Sequence, residues 1–551
     1  MFIRTKKSGN HVYLQIAENT WEDGKTRQRI IATIGRLDVL QQTGALEGIL
    51  NSGARFCEKL AVLDAVRGSR TTSSENIKIG PGLVFERLWR ETGIRQVLEE
   101  MLHDRNFEFP VERSIFLTVL HRLFSNGSDR AAEQWKEQYH IEGSEQIQLH
   151  HLYRAMSWLG EKLPGTGQKD ATPFSPRCTK DLIEEDLFSR RQDLFSRLDM
   201  VFFDTTSLYF EGEGGQDLGK RGHSKDHRPD LRQMVVGVVM DEEGNPVCCE
   251  MWPGNTADVT TLIPIVKRMK QRFNIQRVCI VADRGMISTQ TISTLEQPGS
   301  QIGYILGARM KKVKEIKTKV LGRAGRFKEV YPERSTSKEP SPLKVKEVWV
   351  DDRRYIVCLN EEQRRKDTAD RESIIASLRD TLKQGDKSLV GNKGYRKYLK
   401  TVKEHFSIDE KRVKEDGRFD GKWVLQTNRD FSAEQTALKY KQLWMVEDIF
   451  RTMKSILQTR PIYHKCDETI RGHVFCSFLA LIVRKELQDR LEAKGYADIE
   501  WAQALQDLDR LHETKVTISD KRFILREKCP GVSGKVIQAV GVALPPTLRD
   551  G

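Results

Sequence analysis

The sequence predicts an α/β protein: a mixed-sheet core, interrupted by a mostly β insertion and preceded by a β-ribbon and helical regions. Three observations carry this. Short apolar runs bounded by turn residues recur between 198 and 307 in the order β-β-β-α-β-α-β. A meander followed by crossover units describes a mixed sheet with helices on its faces. Residues 310–430 break that pattern with dense charge and hairpin signals, and from Ser432 a helical period returns.

The chain has 551 residues, 38% hydrophobic and 31% charged, enough for about two to four domains. No run is long and apolar enough to span a membrane, and the start, MFIRTKKSGNH, lacks the apolar core of a signal peptide. Nine cysteines lie scattered without a CxxC pair. That usage points to a reducing cytoplasm rather than a disulfide framework or a structural zinc site. The net charge of +13 and pI of about 9.1 favour a polyanionic partner.

Residues 2–36 alternate as short strands, with turn chemistry at Gly9-Asn10 and Asp23-Gly24. Residues 40–70 read as helix, with apolar Leu46, Ile49 and Leu50, then Leu60, Leu63 and Val66; Gly68–Ser74 reads as a linker. Residues 80–163 are again helical, anchored by Trp135 and Trp158, and 163–178 form a second Pro/Gly/Thr-rich linker.

The central stretch is Leu198–Phe210, LDMVFFDTTSLYF. Its apolar run reads as a buried strand, and it delivers Asp204 to the sheet centre. A carboxylate there is costly to bury unless paired or bound to a cation. The loop Glu211–Leu231 is too polar to pack by itself and is expected to order on binding. Strands follow at Gln233–Met240 and Val247–Trp252, then a helix from Asp258 to about Arg272. Arg277–Ala282 is another buried strand, ending in Asp283, and Gly303–Gly307 is the next.

Hairpin signals at Leu343–Val350 and Arg353–Leu359, and at Trp423–Leu425, make 310–430 a mostly β insertion with a helical piece near Asp370–Leu382. Ser432 to Gln435 fits a capping box. On the helix that follows, Val446, Ile449, Phe450, Met453 and Leu457 form one face, and Tyr440, Glu447, Arg451 and Lys454 line a polar stripe. The domains read as 1–70 (ribbon plus helix), 75–165 (helical), 196–309 and 431–495 (the two parts of the core), 310–430 (insertion) and 496–551 (helical tail).

Three carboxylates thus have distinct settings: Asp204 in the first strand, Asp283 ending the fourth, Glu447 on a late helix. In an RNase H-like sheet the first and fourth strands are neighbours and a late helix crosses them. Carboxylates placed so can hold two divalent cations for in-line phosphoryl transfer. Oxygen-only ligands suit Mg²⁺ or Mn²⁺ rather than Zn²⁺.

These residues carry a resemblance. DTTS at Asp204, GNTAD at Gly254–Asp258, VADRGM around Asp283, YKQLWMVEDIFRTMKS at Tyr440–Ser455 and RPIYH at Arg460–His464 resemble bacterial insertion-sequence DDE transposases. The closest fit is the insertion-sequence 4 superfamily and its 1634-like branch. The family's last-helix signature is Tyr, Arg three on, Glu four further and Lys seven further. Tyr440, Glu447 and Lys454 match it, while position 443 is Leu, a place that Lys441 or Arg451 would fill. The resemblance implies an enzyme that cuts DNA at the element's terminal inverted repeats and joins the ends to target DNA as a homodimer. It implies Asp204, Asp283 and Glu447 as ligands of two Mg²⁺ or Mn²⁺ ions, with Tyr440, Lys441, Arg451 and Lys454 on the DNA backbone. Trp349 and Trp423, in the insertion, would either brace a flipped base or pack its core. Arg284 reads as a salt-bridging neighbour, Asp258 as a helix cap, His464 and His473 as structural histidines. The competing readings are an RNase H-like nuclease without strand transfer, an inactive DNA-binding derivative, and carboxylate chemistry on sugars. The basic stripe disfavours the last.

Overall fold

Among the described residues the strand patterns condense into four sheets. The structure, a computed structural model, describes residues 1–22, 25–54, 74–125, 127–169, 171–172, 175–191, 198–275, 277–297, 301–331, 342–383, 395–402, 405–518 and 521–551. The Asp23-Gly24 turn, the helix expected around Leu60, Leu63 and Val66, and 68–73 of the expected linker lie outside the described residues. One unit comprises Met1–Gly80, Ala502–Ile537 and Ala543–Gly551; the other comprises Pro81–Trp501 and Gln538–Val542.

In the first unit, β1 (Phe2–Ser8), β2 (His11–Glu22) and β3 (Lys25–Arg36) form an antiparallel sheet in that order. Its core is thin: Leu14, Ala17 and Leu40 are buried, while Trp21, Ile30 and Ile31 are exposed. Ser74, expected in a linker, opens β4 (Ser74–Lys78).

The second unit carries the large sheet. Its strands are β5 (Met200–Tyr209), β6 (Gln233–Met240), β7 (Pro246–Pro253), β8 (Val278–Ala282), β9 (Ile302–Gly307), β10 (Lys328–Val330), β11 (Leu343–Val350), β12 (Arg353–Asn360) and β15 (Lys422–Thr427), with β13 (Leu399–Val402) and β14 (His405–Ile408) forming a separate ribbon. The order is β10-β11-β12-β15-β9-β8-β5-β6-β7. β5 runs antiparallel to β6 and parallel to β8, and β8 runs parallel to β9. The stretch 310–430, expected as a mostly β insertion, therefore continues the same sheet through β15 on β9. It also carries a helix, Glu361–Lys383, longer than the expected piece.

Alternation along β5 sorts its side chains. Val201 and Phe203 face a core shared with Leu262, Ile265, Val266 and Met269 of the helix Leu262–Arg272. By the two-residue period Asp204 belongs to the opposite face. On that side the helix Trp444–Arg451, with Val446 and Phe450 buried, packs on β5. Behind it Asp467–Ala493 is buried nearly all round, as its apolar run FCSFLALIV requires. It crosses the helix Leu149–Leu159 closely: a Cβ on Gly472 would lie 1.8 Å from the Met156 carbonyl oxygen.

Charged residues also fill the core. The helix Thr179–Arg191, which no periodicity marked, sets Lys180, Asp181 and Glu184 against Arg268, Arg272 and Glu250. Arg272 reaches Glu184 at 2.6 Å, Glu250 at 3.1 Å and Asp181 at 3.2 Å, with all four side chains at most 1% exposed. Three cations meet three carboxylates, so the burial is charge-balanced.

Two expectations are corrected. The loop 211–231 packs in the DNA-free chain: Leu218 is buried, and the Asp217 and Leu218 amides donate to the Asp467 carboxylate at 2.9 and 3.0 Å. Paired charges and satisfied backbone groups let a polar loop order. The tail expected to be helical, 496–551, holds the helices Trp501–Asp509 and Ser533–Val540, and also β16 (His512–Ile518), β17 (Lys521–Arg526) and β18 (Leu548–Asp550). These strands form the sheet β18-β17-β16-β4. β-Branched Thr514, Val516 and Thr517, with Val516 and Phe523 buried, are strand chemistry.

Candidate active site

Register creates the site. Phe203 on β5 pairs with Ala282 on β8 in parallel, so the residues that follow, Asp204 and Asp283, come side by side, roughly one strand spacing apart (about 4.8 Å). Burial pushes the Asp204 carboxyl up to about 6, and Asp283 and Asp258 push the same way; Lys225 and the Thr205 amide oppose them. That amide donates to Asp204 Oδ1 at 2.7 Å. The Tyr440 hydroxyl donates to Asp283 Oδ1 at 3.0 Å. Burial, then Asp283, raises the Tyr440 phenol, which keeps its proton. Gly307, ending β9, makes the room: a Cβ there would lie 2.4 Å from the Tyr440 hydroxyl.

Glu447 stands apart. Its side chain is exposed near the start of the helix Trp444–Arg451, and the carboxylates of Asp204, Asp283 and Glu447 do not all lie within 4.8 Å of one another. The expected single stripe is divided, because the helix Ala433–Lys441 stops before Trp444 and a π-turn, Thr452–Ile456, follows Arg451. The Ser432–Gln435 capping box is present, each side chain accepting the other residue's amide at 3.1 Å. Arg451 is exposed and pairs with Asp448 at 3.2 Å. Lys441 is half-buried, and burial lowers its ammonium from the usual range. Lys454 meets Asp226 at 2.8 Å, and Arg460 meets the same carboxylate at 2.7 Å. Trp349 is exposed and donates to Glu347, and Trp423 is half-buried on β15.

Asp258 does not cap a helix. Its carboxylate accepts the Thr205 hydroxyl at 2.7 Å and pairs with Lys225 at 3.1 Å. Arg284 is exposed and makes no ion pair among the described residues, so it is not a salt-bridging neighbour. The sequence reading passed over Lys225 and Asp226, which lie in a loop without periodicity, and gave Asp258 only the role of a helix cap. The available signal was their charge, set beside the strands that flank Asp204.

A cavity of about 640 Å³ opens beside these carboxylates. Thr206, Ser207 and Asp258 line it, together with the cations Lys225, Arg284, Arg309, Lys311 and Lys312. Arg309 donates to the Arg284 and Gly285 carbonyls at 3.0 and 2.7 Å, and Lys311 pairs with Asp416 at 2.9 Å. A basic wall beside an acidic centre suits a phosphodiester, whose charge it offsets while the carboxylates face the reacting group.

Among the described residues, Asp129, His464 and His473 have donor atoms within 4.8 Å of one another, as a metal site would need. His473 Nε2 donates to the Thr459 carbonyl at 3.1 Å and Nδ1 faces the Arg122 guanidinium at 2.8 Å. Burial, then Arg122, holds His473 well below its usual range. The guanidinium already supplies the positive charge there, so the group is a hydrogen-bond network. The donors at Asp204, Asp283 and Glu447 are all carboxylate oxygens, which fit a hard divalent cation. Burial, more than the neighbouring charges, raises the Asp204 carboxyl.

Among family comparisons, the transposase DDE domain matches residues 196–483, and the N-terminal domain of the IS1634 transposase family matches residues 3–66. No curated protein matches. Among solved structures, the chain is similar to a cryo-EM structure of the piggyBac transposase synaptic complex with hairpin DNA, at TM-score 0.37 and 10% identity, covering 78% of this chain and 79% of that one. Among the described residues no helix is long and apolar enough to cross a membrane.

Proposed function

Because the chain belongs to the DDE transposase family, in its IS1634 branch, and is an enzyme that cuts and joins DNA, we propose that Asp204, Asp283 and Glu447 are its metal ligands. The group they would hold is a pair of Mg²⁺ or Mn²⁺ ions. When bound, such a pair acidifies the attacking water or sugar hydroxyl and stabilises the leaving oxygen. The observation that carries this reading is the β5–β8 register, which sets Asp204 beside Asp283 at the sheet centre.

The chain's own residues have separable tasks. Asp204 and Asp283 provide fixed oxygens on strand ends, and Tyr440 orients Asp283. Glu447, exposed on a helix packed on β5, is the third carboxylate of this reading. Lys441, Arg451 and Lys454, with Tyr440, hold the backbone of the strand being cut. Arg451 gives up little to do so, since an exposed ion pair such as that with Asp448 is worth about 0–1 kcal/mol. The strand order β7-β6-β5-β8-β9, antiparallel then parallel, supports an RNase H-like core, with β10, β11, β12 and β15 as its insertion. The substrates are the element's terminal inverted repeats and target DNA, and pairing two ends calls for a homodimer.

The test is Mn²⁺ uptake by the protein–DNA complex, followed by electron paramagnetic resonance. Wild type is expected to take up two ions per active site. Asp283→Asn should weaken this by about tenfold or more, the least expected when even an outer-shell partner is lost. Unchanged uptake in Asp283→Asn would overturn the ligand assignment.

A further inference from the structure

We propose that Lys225 and Asp258 are positioning residues for Asp204, and that the adjacent pair Lys225–Asp226 ties the strand bearing Asp204 to the segment bearing Lys454. This rests on the reading of Asp204 as a metal ligand. In the loop concerned, 211–231, Lys225 lines the cavity, but neither it nor Asp226 is among the ligands and backbone contacts assigned above.

Thr205 is the hub. It is 1% exposed, and all its polar groups are committed. Its amide donates to Asp204 Oδ1 at 2.7 Å. Its carbonyl accepts from Lys225 Nζ at 2.6 Å. Its hydroxyl accepts from the same ammonium at 2.9 Å and donates its one proton to Asp258 Oδ1 at 2.7 Å. Lys225 closes the ring on Asp258 Oδ2 at 3.1 Å, and its own amide donates to Ser207 Oγ at 2.8 Å. Thr205 faces away from Asp204 along the strand, so this ring locks the peptide that holds the Asp204 carboxylate without occupying its metal-facing side.

The next residue points the other way. Asp226, with its side chain 5% exposed, lies between Lys454 and Arg460 at 2.8 and 2.7 Å. Consecutive loop residues of opposite charge thus fasten the two walls of the site. A partner that orients a ligand typically changes metal affinity by about 10–100-fold when removed.

The experiment compares Lys225→Met, Lys225→Arg and Asp258→Asn in the full chain. Each is measured by thermal melting, by affinity for an element-end duplex in Ca²⁺, by Mn²⁺ affinity from paramagnetic resonance, and by cleavage against Mg²⁺ concentration. Lys225→Met should melt near wild type and bind Mn²⁺ at least tenfold more weakly, with cleavage falling alike and DNA affinity falling less than Mn²⁺ affinity. Lys225→Arg should recover part of both. Asp258→Asn should fall less, and the double variant no further than Lys225→Met, since both act through Thr205. Wild-type Mn²⁺ affinity in Lys225→Met and Asp258→Asn would overturn the proposal, as would equal loss in Lys225→Met and Lys225→Arg. If Lys225→Met fails to fold, Asp258→Asn, which keeps an acceptor for Thr205, decides alone by the same Mn²⁺ criterion. Asp204→Ala is the control: if it too keeps wild-type Mn²⁺ affinity, the ligand reading of Asp204 fails rather than the role of Lys225.

Discussion

Glu447→Gln is expected to slow strand cleavage by about 10³-fold or more, roughly 4 kcal/mol of transition-state stabilisation, while leaving DNA affinity within about twofold. The change is nearly isosteric and falls on an exposed side chain. The helix is held by buried Val446 and Phe450, which the substitution leaves alone. The fold therefore loses at most the favourable placement of a carboxylate near a helix N-terminus, about 0.3–1 kcal/mol. What disappears is the one negative charge that the proposed ligand set assigns to Glu447. Single-turnover cleavage and fluorescence anisotropy on the same duplex separate the two quantities. Cleavage surviving in Glu447→Gln would remove Glu447 as a ligand.

Arg272→Met should give the largest loss of stability, about 3–5 kcal/mol. Arg272 is 1% exposed and bonds Asp181, Glu184, Glu185 and Glu250. Met restores the volume of the stem but leaves buried carboxylates with one cation fewer. Urea unfolding of the full chain reads the loss as a lower midpoint. Arg272→Met combined with Glu184→Leu should recover part of it, because charge balance returns. A single variant within about 1 kcal/mol of wild type would mean that water, not Arg272, stabilises those carboxylates.

Much of the catalytic sheet was legible because its strands are continuous apolar runs that stop at polar residues. Asp204 and Asp283 stood out as carboxylates placed in or at the end of such runs, and the parallel β5–β8 register brings them together. The capping box at Ser432 was legible because it is local. What stayed hidden was non-local. Nothing in the sequence says that β15 pairs with β9, which puts 310–430 into the core sheet. Nor does it say that β4 and β16, more than four hundred residues apart in chain order, share a ladder. The buried ionic cluster was not read at all, because its charges come from segments that only the fold brings together. Lys225 and Asp226 were passed over, and Asp258 was read only as a helix cap, because their partners too are brought by the fold. The division of the Tyr440–Lys454 stripe arises from a break before Trp444 that helix-forming residues do not announce.

The most direct test is cleavage of a labelled duplex carrying the element's own end, by wild type and by Asp204→Ala, in Mg²⁺, in Mn²⁺ and with EDTA. The account predicts nicking at the element's end by wild type in either metal, none with EDTA, and none by Asp204→Ala although it still binds the duplex. Equal cutting by Asp204→Ala, or cutting by wild type in EDTA, would contradict it.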